Sequence, residues 1–257
     1  MQDIAVKFES VSFSYTDVLA SKLQVFDNAS FHIHCGEFTA MVGPNGSGKT
    51  TVLKLLFGLE KPAEGIIEIF GKPVQKQSEN IAYVSQQMPA DNLFPITVRD
   101  IVRMGLLRPL GGYAKKVDAV EEALEKTGIA DIASRLYHSL SGGQKRRALV
   151  SRALAAKPRL LVLDEPDANM DSESEARLYE TLGAYKGTTT ILIVTHNTGF
   201  VSSLTDRVLC LGDGRKIVQH NIEKAVSQGH GDAFLQARVL HENNINDDQC
   251  CRGIKND

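Results

Sequence analysis

The run Gly43-Pro44-Asn45-Gly46-Ser47-Gly48-Lys49-Thr50 constrains this chain more than any other stretch of its sequence. It follows a short apolar run, Phe38 to Val42, that reads as a strand, and it precedes a helical pattern from Thr50 to Leu59 that Pro62 and Gly65 break. A strand, a glycine-rich turn and a helix in that order make a cradle for phosphate. The glycines let the backbone curl so that successive N–H groups point inward. The helix N-terminus adds its positive dipole end. Lys49 supplies a mobile cation for outer phosphates, and Thr50 offers a hydroxyl to Mg²⁺.

A second constraint lies downstream. Leu160-Leu161-Val162-Leu163-Asp164-Glu165 is an apolar strand that ends in two carboxylates. Continuous apolar runs mark strands buried on both faces, and ligands of open α/β sheets bind beyond the carboxyl ends of such strands. Asp164 is therefore placed to hold Mg²⁺, through water. Glu165, one residue further out, is placed to orient and polarise an attacking water.

The remaining pattern fits an α/β chain. Ile4 to Phe8, Val11 to Tyr15 and Ala29 to Ile33 read as N-terminal strands, as do Gly65 to Phe70 and Ile81 to Val84 further on. Helices are expected over Thr97–Leu106, opened by a Thr97/Asp100 capping box, and over Lys115–Lys126 and Gln144–Ala156. Strands return at Leu160–Leu163, Ile191–Val194 and Arg207–Leu211, with a helix from Ser172 to Leu182 between the first two. Alternating strand and helix predicts a mostly parallel sheet covered on both faces. The expected division is an ATP-binding core of residues 1–87 and 157–220, a helical subdomain of residues 88–156, and a C-terminal extension of residues 221–257, disordered from about Glu242.

Composition excludes several other classes. A net charge of −2 over 257 residues gives no global basic field to draw nucleic acid. No apolar run approaches the ~20 residues that span a bilayer. The start, Met1-Gln2-Asp3-Ile4-Ala5-Val6-Lys7, does not read as a signal peptide. Cys35, Cys210, Cys250 and Cys251 form no disulfide framework, and the Cys250-Cys251 pair is read as two reduced thiols. His220, His230 and His241 are too scattered to read as a metal site.

Leu140-Ser141-Gly142-Gly143-Gln144 resembles the signature sequence of ATP-binding-cassette ATPases. The order of phosphate loop, signature, acidic strand and strand-end histidine is also that family's order, over about residues 3–220. The resemblance implies a phosphate-loop NTPase core with N-terminal antiparallel strands and an inserted helical subdomain. It implies ATP contacts from Tyr15, which would stack on adenine, from Gly43, Pro44, Asn45, Gly46, Ser47, Gly48, Lys49, Thr50 and Thr51, and from Gln86. Ser141, Gly142, Gly143, Gln144 and Asp171 would complete the nucleotide site. Mg²⁺ would meet Thr50, Gln86 and Asp164, and hydrolysis would fall to Glu165 with His196 at the γ-phosphate. Gln87 competes with Gln86 for its role.

One chain with one phosphate loop and one signature implies a homodimer that sandwiches two ATP molecules. The family partners are integral-membrane permease subunits and, indirectly, a solute-binding protein, with the ATPase peripheral on the cytoplasmic face of the cell membrane. The segment Leu93-Phe94-Pro95-Ile96-Thr97-Val98-Arg99-Asp100-Ile101-Val102, and the stretches Thr195–Val201 and Asp206–Leu211, are similar to zinc/manganese importers. Iron-chelate importers are related in the same places, and a soluble non-transport cassette ATPase is the further alternative. Two departures stand out. Asp167 replaces a commonly neutral residue, and Arg146 replaces a frequent glutamine; the Lys145-Arg146-Arg147 run is expected to be a solvated helix face.

Overall fold

Alternating apolar and polar side chains near the N-terminus produce a long antiparallel ribbon. Strand β1 spans Ile4–Thr16 and β2 spans Lys22–His34. The structure is a computed structural model, and the residues it describes are 3–16, 22–77, 79–86, 95–106, 113–167, 170–196, 204–212 and 217–221. The chain divides into two compact units, Met1–Ser78 with Leu192–Asp257, and Glu79–Ile191.

In the first unit, β1 is one strand where the sequence pattern read as two. Register shifts near Ser10 interrupt the alternation without ending the ladder. Ser10 and Asn28 take positive φ angles of 51° and 52° there, and the Ser30 and Ser12 hydroxyls accept from their N–H groups at 2.9 and 3.1 Å. Such bulges keep a ladder intact while it twists. Strands β4 (Glu64–Ile69) and β5 (Lys72–Pro73) complete the antiparallel sheet in the order β2-β1-β4-β5. Gly65 is required at the crossing, because a Cβ there would lie 2.4 Å from the Ser10 carbonyl oxygen. Phe8 stacks on Phe31 across the ribbon, with ring centroids 4.4 Å apart.

The same unit holds β3 (Phe38–Val42), buried at every residue, and the helix α1 (Lys49–Leu56). β3 runs parallel to β9 (Arg207–Leu211), whose other edge pairs antiparallel with β10 (Ile217–Asn221). β10 had no counterpart in the sequence reading.

A buried ion pair fixes the entry to β3. Arg207, 4% exposed in its side chain, donates to both carboxylate oxygens of Glu37 at 2.9 and 3.1 Å. Burial alone would raise the Glu37 carboxyl, but the Arg207 hydrogen bond and charge, with donation from His34, hold it at about 2 against an ordinary 4.5. A depressed carboxyl contributes stability above its unfolded pKa and loses it as pH falls toward the folded one. Between pH 7 and pH 3 this carboxyl should withdraw about 2 kcal/mol of stability. Glu37→Gln, less stable at neutral pH because Arg207 loses its partner, should lack that share of the acid sensitivity. Urea midpoints at the two pH values measure the difference, and equal acid losses in both proteins would refute it.

The second unit holds β6 (Ile81–Val84) and β7 (Leu160–Asp164), paired in parallel. Its helices are α2 (Val98–Met104), α3 (Tyr113–Lys126), α4 (Gly142–Ala155) and α5 (Ser172–Tyr185). α2, α3 and α4 share a core of Val98, Val102, Val120, Leu124, Ile129 and Ala148, among others. The expected capping box forms: the Thr97 hydroxyl accepts from the Asp100 N–H, and the Asp100 carboxylate accepts from the Thr97 N–H. β8 (Thr190–Thr195), buried throughout, crosses the division between the units. No helix among the described residues is long and apolar enough to cross a membrane.

Candidate functional site

The phosphate loop joins β3 to α1 in the first unit, as its sequence requires. Gly46 and Gly48 take φ angles of 83° and 101°, which residues other than glycine rarely adopt. Gly43 is needed for space: a Cβ would lie 2.6 Å from both the Leu211 carbonyl oxygen and Ser47 Oγ. Lys49 is buried and folds back over the loop, its ammonium donating to the carbonyls of Gly43 at 2.5 Å and Pro44 at 2.9 Å. Among the described residues, Ser47 Oγ is buried with no hydrogen-bond partner. A hydroxyl left so in a glycine-rich cradle, with a cation across it, fits an incoming phosphate oxygen. A concavity of about 270 Å³ lies beside the loop, lined by Leu23, Gln24, Val25, Pro44, Asn45, Gly46, Ser47 and Gly212.

Tyr15 is half-buried near the end of β1. Its hydroxyl lies 3.4 Å from Thr51 Oγ1 and accepts from Lys54 Nζ at 3.3 Å. The ring meets Phe13 edge-on, and Lys54 Nζ sits 5.2 Å from its centroid. Thr50 is exposed on the first turn of α1, and Thr51 is buried behind it. His196 stands exposed just past β8.

The second unit assembles a different group. Gln86 follows β6 and Glu165 follows β7, neighbours in parallel register. The Gln86 amide donates to the Glu165 carboxylate. Glu165 itself has φ 44°, in the left-handed region that residues other than glycine rarely adopt. Beside it, Asp164 accepts from the Tyr83 hydroxyl at 3.1 Å. Burial, and then the Asp164 charge and hydrogen bond, push the Tyr83 hydroxyl up to about 12, so it remains a donor at neutral pH.

The signature forms the start of α4. Ser141 is the N-cap, accepting from the Gln144 N–H at 3.3 Å while the Gln144 side chain accepts from the Ser141 N–H at 3.1 Å. This reciprocal pair leaves the N–H groups of Gly142 and Gly143 at the positive end of the helix. Gly143 leaves room for α5, since a Cβ there would lie 2.7 Å from the Ser174 Cβ, which no side-chain rotation moves. Asp171 caps α5, accepting from the Ser174 N–H and hydroxyl at 2.8 Å each, and those two bonds lower its carboxyl pKa.

One expectation is overturned here. Arg146 and Arg147 are 4% and 8% exposed, so the basic run is no solvated face. The signal was present in the spacing. Arg146, Leu149, Val150 and Ala153 recur at intervals of three and four, which puts Arg146 on the buried face of α4. Arg147 donates to the Gly128 carbonyl at 3.0 Å. Tyr83 was also unread as a partner of Asp164, because parallel pairing of β6 with β7 is not visible in either segment alone. Gln87, the Ala168-Asn169 part of the acidic loop, Leu93-Phe94, Asn197–Val201, His230, His241, the Cys250-Cys251 pair and the tail from Glu242 lie outside the described residues, as does the side chain of His220.

A phosphate loop between a buried strand and a helix, with a strand-end acid pair and a signature helix, defines an α/β phosphate-loop ATPase. The family model described as ABC transporter matches residues 26–168, and the chain belongs to that family. It is 33% identical to the zinc uptake system ATP-binding protein ZurA of Listeria innocua, over 95% of each chain. It is 34% identical to the chelated iron transport system membrane protein YfeB of Yersinia pestis, over 84% of this chain and 78% of the other. Among solved structures, cbiO1 from Clostridium perfringens, described as part of the ABC transporter complex cbiONQ, superposes with a TM-score of 0.77. That match has 30% identity and covers 86% of this chain and 89% of cbiO1.

Proposed function

We propose that this chain is the energy-coupling ATPase of a membrane importer for a divalent metal, zinc or manganese. The observation that carries the reading is the 33% identity, over 95% of each chain, to a protein named for zinc uptake. The chain binds ATP through the phosphate loop, with Lys49 on the outer phosphates, Ser47 Oγ and the loop N–H groups on phosphate oxygens, and Tyr15 against the adenine. Thr50, Gln86 and Asp164 offer the oxygen donors that Mg²⁺ takes, and they would hold it. When bound, that ion neutralises phosphate charge as the terminal group is transferred. Glu165 orients and polarises the attacking water, and Gln86 holds its carboxylate. His196 contacts the γ-phosphate, and Asp171 closes the loop after the acidic strand.

The signature N–H groups of Gly142 and Gly143 make a second anion site in a chain with one phosphate loop. They serve the nucleotide of a second copy in a two-fold, head-to-tail dimer. ATP closes that dimer, a docked permease on the cytoplasmic face switches the side to which it opens, and hydrolysis resets it. A solute-binding protein delivers the metal to the permease. The transported metal never touches this subunit.

The test is a deletion strain grown under chelation. Rescue by added zinc or manganese, with reduced uptake of that radiolabelled metal, is the expected outcome. The 34% identity to the chelated-iron protein supports a second reading. Normal zinc and manganese uptake with defective chelated-iron uptake would favour it and overturn the first.

A further inference from the structure

We infer that Arg146 is a positioning residue for hydrolysis, holding the backbones that carry Gln86 and Glu165 in the geometry where their side chains meet. The inference rests on the reading of Glu165 and Gln86 given above and adds the group that sets them.

Arg146 donates from three nitrogens to three main-chain carbonyls: Nη1 to Ser85 at 2.6 Å, Nη2 to Asp164 at 2.7 Å and Nε to Pro166 at 3.0 Å. Ser85 precedes Gln86. Asp164 and Pro166 flank Glu165. One planar group therefore grips the chain immediately before the glutamine and on both sides of the acid, and the two side chains so held are hydrogen-bonded to each other. A left-handed backbone at a residue such as Glu165 persists only where its surroundings over-determine it. The carbonyls on either side of Glu165 are fixed by the same guanidinium.

The position is costly, which argues that it is more than packing. Arg146 is 4% exposed, and burial pulls its pKa down while the charges of Asp164 and Asp167 oppose that. Asp167 thereby acquires a role: it is one of the acids that make a buried cation tolerable here. Lysine cannot substitute, because its donors radiate from one atom, whereas the guanidinium fork spans separate acceptors in one plane. Glutamine keeps two N–H donors on a shorter arm and removes the buried charge.

The experiment compares R146K and R146Q with the parent chain for ATP KM, kcat and thermal unfolding. R146Q leaves no unpaired buried cation, so it remains a usable protein if R146K does not fold. Each folded variant should lose about ten-fold or more in kcat, because misplacing a reacting group by a full ångström can cost about 10²-fold. KM should stay within about three-fold, since the phosphate loop is untouched. In single-turnover assays the substitution should cost less than about two-fold once Glu165→Gln is present, because groups acting through one another are non-additive. A full additive loss, a change confined to KM, or wild-type kcat in R146Q overturns the positioning role. Retained turnover in Glu165→Gln alone overturns the reading of Glu165 instead, so the two failures are distinguishable.

Discussion

Glu165→Gln is expected to reduce steady-state ATP turnover by about 10²–10⁴-fold while ATP binding survives. The substitution keeps shape and volume and replaces a carboxylate with an amide that cannot take a proton. The partner just past the neighbouring strand β6 is a reason to expect an intact fold. Gln86 donates to one Glu165 oxygen, and the amide oxygen of the new side chain can accept the same bond. Surface-near changes of this kind usually move stability by no more than about 0.5 kcal/mol. The left-handed φ of 44° provides a separate control. Glu165→Gly relieves the backbone strain, worth about 1 kcal/mol or slightly more, yet removes the carboxylate. It should be as inactive as the glutamine variant without being less stable. Loss of turnover in both, with opposite backbone consequences, assigns the effect to the carboxylate. With hydrolysis blocked, an ATP-bound dimer should accumulate and elute early in size-exclusion chromatography. Near-normal ATPase activity in Glu165→Gln would falsify the role.

The parts legible in the sequence were those whose determinants are local. The phosphate loop is one, because glycine, lysine and threonine at fixed offsets between a strand and a helix need no tertiary information. The Thr97/Asp100 capping box is another, since both halves lie within a single helical turn, and it forms as read. β3, β6 and β9 span the apolar runs expected of them, and α5 only extends further, to Tyr185. What escaped was non-local or required counting along a helix. The bulge at Ser10 depends on Ser30, twenty positions away on the facing strand. Tyr83 meets Asp164 only because β6 and β7 pair in parallel. Arg146 was misjudged for a different reason. A run of three basic residues looks like a solvated surface until its phase is set against Leu149, Val150 and Ala153. The structural grip of Arg146 on three carbonyls is then the sort of buried charge a polar network can stabilise.

Lys49→Ala is expected to lower ATP affinity by at least about 10²-fold, the loss of a charge-assisted contact at roughly 3 kcal/mol. Its present geometry explains why the loss should fall on binding and not on folding. The ammonium is buried and satisfied by the carbonyls of Gly43 and Pro44, so it is held across the cradle before nucleotide arrives. The loop's curl is set elsewhere, by the positive φ of Gly46 and Gly48 and by the tight contact of Gly43 with Leu211 and Ser47. Removing the lysine leaves two loop carbonyls without that donor and a phosphate without its cation, in a shape that persists. Tyr15→Ala should do less, about ten-fold, because stacking on one aromatic ring is worth about 1–3 kcal/mol. Part of what Tyr15 does is internal as well: its hydroxyl meets Thr51 and Lys54, so some of its cost will appear as stability. Titration of both variants with ATP by isothermal calorimetry, beside their unfolding midpoints, separates the two contributions. A larger affinity loss in Tyr15→Ala than in Lys49→Ala would mean that the base, and not the phosphates, anchors the nucleotide, and it would overturn the assignment of Lys49.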